Sequence, residues 1–191
     1  MIGEVPGQIA CAADVPEGEQ TAHFARVLRD HAEDVRGQHG ERCRRLVLAA
    51  TSPGHLMVPG RLTVLLKLAT PRRYKDPDYM QRIAGDIYGG ALRDAPELVR
   101  QHLRHVRWSS DYGYYLQLFA ATGWSSLPWL RLLAQPTLVM SGTDDPIVPV
   151  ANGRILASLI PDARLVTIDD GHLFLVTSAE ASAATISQFL G

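Results

Sequence analysis

Pro136-Thr-Leu-Val-Met-Ser-Gly142, running into Thr143-Asp144-Asp145-Pro146, and Leu165-Val-Thr-Ile168, running into Asp169-Asp170-Gly171-His172, decide how this chain is read. Each is a short apolar run ending in polar turn residues and reads as a strand. Between them Ala151, Ile155, Leu156, Leu159 and Ile160 recur at helical spacing up to Pro161. After His172, Thr177-Ser-Ala-Glu180 has the form of a capping box for a last helix burying Ala183, Ile186, Phe189 and Leu190. Strand, helix, strand, helix is the repeating unit of an α/β sheet with right-handed crossovers. In such sheets functional residues collect at the carboxyl ends of neighbouring strands. Asp145 and His172 both stand there, as a carboxylate that orients an imidazole and an imidazole that moves a proton. The same two residue types also serve as plain loop residues and helix caps, and spacing alone leaves both readings open.

Working outward, Leu46-Val-Leu-Ala-Ala50 is a third apolar run, closed by Thr51-Ser52-Pro53-Gly54. The expected strands are 46–50, 137–142 and 165–168. Residues 54–126 have no strand pattern and several helix signals. Asp76-Pro77 is an N-cap with proline at the first helical position, and Gly89-Gly90 stops that helix. Asp94-Ala-Pro-Glu97 opens another helix, with Leu98, Val99, Leu103 and Val106 inside, and Asp111 leads into Tyr114, Tyr115, Leu118 and Phe119. This aromatic-rich block reads as a helical lid inserted between strands. A short helix over 127–134 follows it. Residues 1–20, with Gly3, Pro6, Gly7, Pro16 and Gly18, read as a flexible lead-in. From Thr21, Phe24, Val27, Leu28, His31 and Val35 mark an amphipathic helix. The expected division is therefore a lead-in at 1–20, a core at 21–53 and 127–191, and the lid at 54–126.

The chain has 191 residues, 46% of them hydrophobic, and a formal net charge of -1. That near-neutral balance speaks against a nucleic-acid partner. No stretch approaches the roughly 18 apolar residues of a membrane span. Cys11 and Cys43 match neither a disulfide framework nor a zinc spacing, and with no signal-peptide pattern the expected location is cytoplasmic. His102-x-x-His105 puts two imidazoles on one helix face, but no further ligand stands at a useful spacing, and Arg104 and Arg107 surround it. It reads as a solvated face. No glycine-rich phosphate loop is present. The expectation is that the chain uses no metal and no cofactor.

Gly142-x-x-Asp145-x-x-Val148-Pro149 and Asp170-Gly171-His172 resemble the acid and histidine motifs of α/β-hydrolases. Glu41-Arg42 ahead of Leu46-Val47-Leu48 resembles the turn that leads into the strand before their lid. More narrowly, the chain resembles the intracellular poly(3-hydroxyalkanoate) depolymerases of that superfamily. The words that carry this are Leu46-Val-Leu-Ala-Ala-Thr-Ser-Pro-Gly54, Pro71-Arg-Arg-Tyr74, Asp86-Ile-Tyr-Gly-Gly90, Gly113-Tyr-Tyr115, Leu118-Phe-Ala120, Gly123-Trp124 and Asp169-Asp-Gly-His-Leu-Phe-Leu175. The match runs from about residue 40 to the end. It implies a partial α/β-hydrolase fold and a serine esterase cleaving 3-hydroxyacyl esters of a storage polyester. Asp145 would be the triad acid, selected over Asp144 by the Gly-x-x-Asp spacing, and His172 the general base.

One part of that pattern is missing. Such enzymes carry their nucleophile on a Gly-x-Ser-x-Gly elbow, which this sequence lacks. Gly123-Trp-Ser125-Ser126-Leu127 lacks the second glycine and reads as the N-cap of the next helix. No nucleophile is assigned. Three readings follow: a truncated depolymerase whose elbow lies upstream, a non-catalytic protein binding polyester granules or another subunit through its lid, and another α/β-hydrolase such as a lipase or small-ester hydrolase. Without the elbow strand, 46–50 would be an exposed apolar edge open to self-association.

Overall fold

The computed structural model describes residues 8–9, 44–95, 97–98, 110–122 and 125–191. Their elements in chain order are β1 (Gln8–Ile9), β2 (Leu46–Ala49), α1 (Leu62–Leu68), α2 (Arg72–Lys75), α3 (Pro77–Tyr88), a 3-10 turn (Gly90–Arg93), α4 (Asp111–Thr122), a second 3-10 turn (Leu130–Leu132), β3 (Thr137–Gly142), α5 (Val150–Leu159), β4 (Ala163–Ile168), α6 (Phe174–Thr177) and α7 (Ala179–Leu190). The lead-in beyond Gln8–Ile9, the amphipathic run from Thr21, most of the helix expected after Asp94, and the pair His102 and His105 lie outside the described residues.

The four strands form one sheet in the order β1-β2-β3-β4. β2 and β3 run parallel from Leu46↔Thr137 to Ala49↔Met140, and β3 and β4 run parallel from Thr137↔Ala163 to Gly142↔Ile168. β3 is buried along its whole length because it is central and covered on both sides. Its period-2 alternation sends Val139 to one face, with Leu46, Leu48, Leu130, Leu156 and Ile160. Leu138 and Met140 go to the other face, with Ala49, Ala50 and Phe174.

Three expectations about this sheet need correction. The edge of β2 is not bare: Gln8 pairs with Ala49 and Ile9 with Leu48, antiparallel. The apolar flank expected to invite self-association is therefore occupied along those two residues. β2 stops at Ala49, because Ala50 takes φ 47°, a left-handed conformation that ends extended pairing. β4 begins two residues earlier than its apolar run, at Ala163, because Ala163 and Arg164 extend the ladder opposite Thr137 and Leu138.

Two local elements also differ. Leu127 to Ala134 forms only the 3-10 turn Leu130–Leu132, hemmed between Pro128 and Pro136. The Thr177–Glu180 capping box does not form: Ser178 is the N-cap of α7 but makes no side-chain cap bond, because both hydroxyls go to Asp170. Of the side chains expected to be buried in α7, Ile186 and Phe189 are half-buried, while Ala183 and Leu190 are exposed.

α3 follows its sequence signals closely. Asp76 caps it by accepting from Tyr79 N at 2.8 Å, Pro77 opens it, and Gly89 closes it at φ 69°. Its apolar face (Met80, Ile83, Ala84, Ile87 and Tyr88) packs with Val64 and Leu92 onto Ile147 and Val148. These last two residues belong to the loop after β3, so the helical segment and the first functional loop share one core.

Candidate functional site

The loop after β3 folds back on its own carboxylate. Asp145 Oδ1 accepts from the amides of Ile147 and Val148, each at 2.8 Å. Its Oδ2 lies 2.7 Å from His172 Nδ1. Both residues are buried, with the Asp145 side chain fully so and 8% of the His172 side chain exposed. Two amides and an imidazole leave the acid acting purely as an acceptor, so Nδ1 carries the hydrogen and Nε2 is left free to take a proton. Asp144 points elsewhere. It accepts from Arg93 Nε at 2.8 Å and Arg93 Nη2 at 3.0 Å, with Arg61 at 3.8 Å. The Arg93 fork, against a smaller opposing effect of burial, holds the Asp144 carboxyl below its ordinary range.

His172 is fixed from beneath by the helical segment. Its amide donates to Tyr88 O at 2.7 Å, and the Tyr88 ring lies nearly parallel to the imidazole, 12° between planes. The approach demands glycine. A Cβ on Gly171 would overlap Tyr88 O, and one on Gly90, at φ 52°, would overlap Asp170 Oδ1 and Gly171 N. Gly90 N donates to Asp144 Oδ2 and Ala91 N to Asp170 Oδ1, both at 2.9 Å. Further along, Asn152 at the start of α5 is wholly buried and bonds both backbone groups of Val58, while Arg61 N donates to Pro146 O.

The two residues singled out by spacing thus meet, whereas Ser125 does not join them. Its hydroxyl donates to Pro53 O at 3.1 Å, and Gly54 and Ser125 form an isolated bridge. Asp144 was set aside for Asp145 and Asp170 was quoted only within the histidine motif, neither with a role of its own, and Tyr88, Arg93 and Asn152 were not picked out as part of this neighbourhood. Adjacency to Asp145 and to Gly171-His172 was the available signal for the first two. Nothing local marks Asn152, whose partner is 94 positions away. Among the described residues no group of three or more His, Cys, Asp or Glu side chains is arranged to hold a metal.

A poly(3-hydroxyalkanoate) depolymerase of Ectopseudomonas oleovorans is 53% identical over 159 residues, 83% of this chain and 56% of that protein. A 3-oxoadipate enol-lactonase of Acinetobacter baylyi is 28% identical over 92 residues, 48% of this chain and 34% of that protein. The chain therefore spans about half or less of the length of these curated relatives. The crystal structure of an enol-lactonase from Burkholderia xenovorans superposes with a TM-score of 0.61 at 24% identity, over 80% of this chain and 58% of that one, a likeness of fold. The profile of the alpha/beta hydrolase fold matches residues 36–179, spanning all three parallel strands and both loops of the site, and the chain belongs to that family.

Proposed function

We propose that this chain carries the acid and base of a serine-type carboxylic ester hydrolase acting on 3-hydroxyacyl esters of a storage polyester. The observation that carries this reading is the buried pair of Asp145 and His172 at 2.7 Å, with Nε2 left as the proton acceptor. His172 would take the proton of a serine hydroxyl as it attacks the ester carbonyl, then give it to the departing 3-hydroxyl oxygen. Asp145 would hold the tautomer and stabilise the imidazolium between those steps. The polyester part of the reading rests on the relative named as a depolymerase. It is supported by the apolar side chains that α1 and α4 turn outward, Leu62, Leu66, Tyr112, Tyr115, Leu116 and Phe119, which suit a hydrophobic polymer or granule surface. Within this reading residues 54–126 act as the lid, the location is cytoplasmic, and no described helix is long and apolar enough to cross a membrane.

The 191 residues contain no Gly-x-Ser-x-Gly elbow, and the roles assigned end at acid and base. A serine-directed phosphonate is expected not to titrate the chain, since loss of a triad nucleophile costs about 10⁶-fold in turnover. The decisive experiment joins this chain behind the part of the E. oleovorans depolymerase that it does not match. The folded chimera should release 3-hydroxyacid from polyester, and His172→Ala should abolish release. Turnover of soluble short esters alone would remove the polyester assignment, and a folded chimera inactive on both would overturn the hydrolase reading.

A further inference from the structure

Asp170 has no part in the chemistry described so far, yet it is only 4% exposed. No cation pairs with it among the described residues. Instead four dipoles converge on its carboxylate. Oδ1 accepts from Gly171 N at 2.7 Å and Ala91 N at 2.9 Å, and Oδ2 accepts from Thr177 Oγ1 and Ser178 Oγ, both at 2.6 Å. Burial alone pushes the Asp170 carboxyl upward, but the Ser178, Thr177, Ala91 and Gly171 donors together outweigh it and keep the group below its ordinary value. Burying an ionised group is costly unless it is fully hydrogen-bonded, and this one is.

The placement of those donors matters. Gly171 immediately precedes His172, Thr177 and Ser178 follow it by five and six positions, and Ala91 belongs to the 3-10 turn of the helical segment. One side chain therefore ties both flanks of the histidine loop together and docks them on the segment whose Tyr88 O holds the His172 amide. Thr177 is drawn from its expected capping duty to do so, and Ser178 at the observed N-cap is engaged likewise, which accounts for the uncapped start of α7.

We infer that Asp170 is a positioning residue for His172: it locks the loop so that the imidazole stays aligned on Asp145, and it makes that alignment depend on the seating of the Gly90–Arg93 turn. This inference rests on reading His172 as the base, but its test needs no turnover. In the intact chain the Nδ1–H of His172 should give a low-field proton resonance, assigned by its loss in Asp145→Ala. In Asp170→Ala that proton should exchange with water at least tenfold faster, while amides of β3 keep their protection. Asp170→Asn keeps the Oδ1 acceptor and lets its amide donate to the two hydroxyls, so it should restore slow exchange. Asp86→Asn, which breaks only an exposed pair with Lys67, should change nothing.

If Asp170→Ala does not fold, the double variant Thr177→Val, Ser178→Ala keeps the carboxylate and should speed exchange in the same direction. Wild-type exchange in a folded Asp170→Ala, or in that double variant, would overturn the inference. Faster exchange together with an inactive chimera would leave the positioning intact and sink the hydrolase reading alone.

Discussion

The helical segment between β2 and β3 has two halves that behave differently. The first, residues 58–93, is bonded to the strand-end loops at backbone level, through Asn152 to Val58, Arg61 N to Pro146 O, Tyr88 O to His172 N, and Asp144 and Asp170 to Gly90 and Ala91. In the second half, the hydrogen bonds of α4 among the described residues run to α1 and α2: Tyr114 O–H to Leu68 O, Arg73 Nη1 to Tyr114 at 2.8 Å, and Lys75 to Asp111. This helix turns Tyr112 and Phe119, 75% and 77% exposed, to solvent. The difference teaches that one insertion serves two purposes. Its first half is frame, where displacements would reach the imidazole. Among the described residues of its second half, α4 presents an apolar surface, with Tyr112 and Phe119 outermost.

The sharpest way to break the frame is at a glycine. Gly171→Ala forces a Cβ into Tyr88 O and the Gly89 backbone, which cannot give as a flexible side chain would. A loss of about 3 kcal/mol is expected, at the upper end for overpacking, seen as a lower urea midpoint at unchanged m-value. No change in midpoint would mean that the junction yields.

Acid sharpens the comparison from the other side. A carboxyl held below its ordinary value contributes stability that is present above the unfolded value near 3.9 and is lost as pH falls through the folded one. Asp170 should therefore steepen the stability loss below about pH 4, and Asp170→Asn should flatten that acid limb in pH-dependent urea melts. An unchanged limb would assign the acid sensitivity to other carboxyls.

The tie between the halves is weaker. Arg73 is buried among Tyr74, Tyr114 and Leu68 O, and its Nε has no hydrogen-bond partner among the described residues. Tyr114→Phe removes an acceptor from this buried guanidinium and should cost about 1.5 kcal/mol. Hydrogen exchange should quicken in α4 and leave α3 unchanged; equal quickening in both would deny the division. At the surface, Leu66→Ser and Phe119→Ser should alter stability by no more than about 0.5 kcal/mol. The same variants should reduce adsorption of the protein to a polyester film, and unchanged adsorption would discard that face as the polymer contact.

What could be read from the sequence followed how local each determinant is. β3 is a continuous apolar run because it is covered on both faces, and its ends at Thr137 and Gly142 were legible without coordinates. α3 carries its own cap, proline and terminal glycines, so its span was legible too. β1 was not, since a two-residue edge strand needs only a neighbouring ladder and leaves no periodic pattern. α1 and α2 were also missed: neither has a side-chain cap, and both are short. Within the site, Asp145 and His172 stood out because each follows a recognisable strand. The clamp around Asp170 did not, because Thr177 and Ser178 carry equally good signals for capping α7, and only the fold shows that the carboxylate outcompetes the helix amides.

The stitching of residues 58–93 has a practical consequence for anyone re-engineering the helical segment. A cassette exchanged at the outer boundaries of the insertion would import new backbone against Asn152, Pro146, Asp144 and Asp170, and would have to reproduce every one of those seams. A splice confined to the stretch between Asp94 and Ser125 leaves those hydrogen bonds untouched, so the exposed apolar side chains of α4 can be varied while Asp145 and His172 keep their contacts.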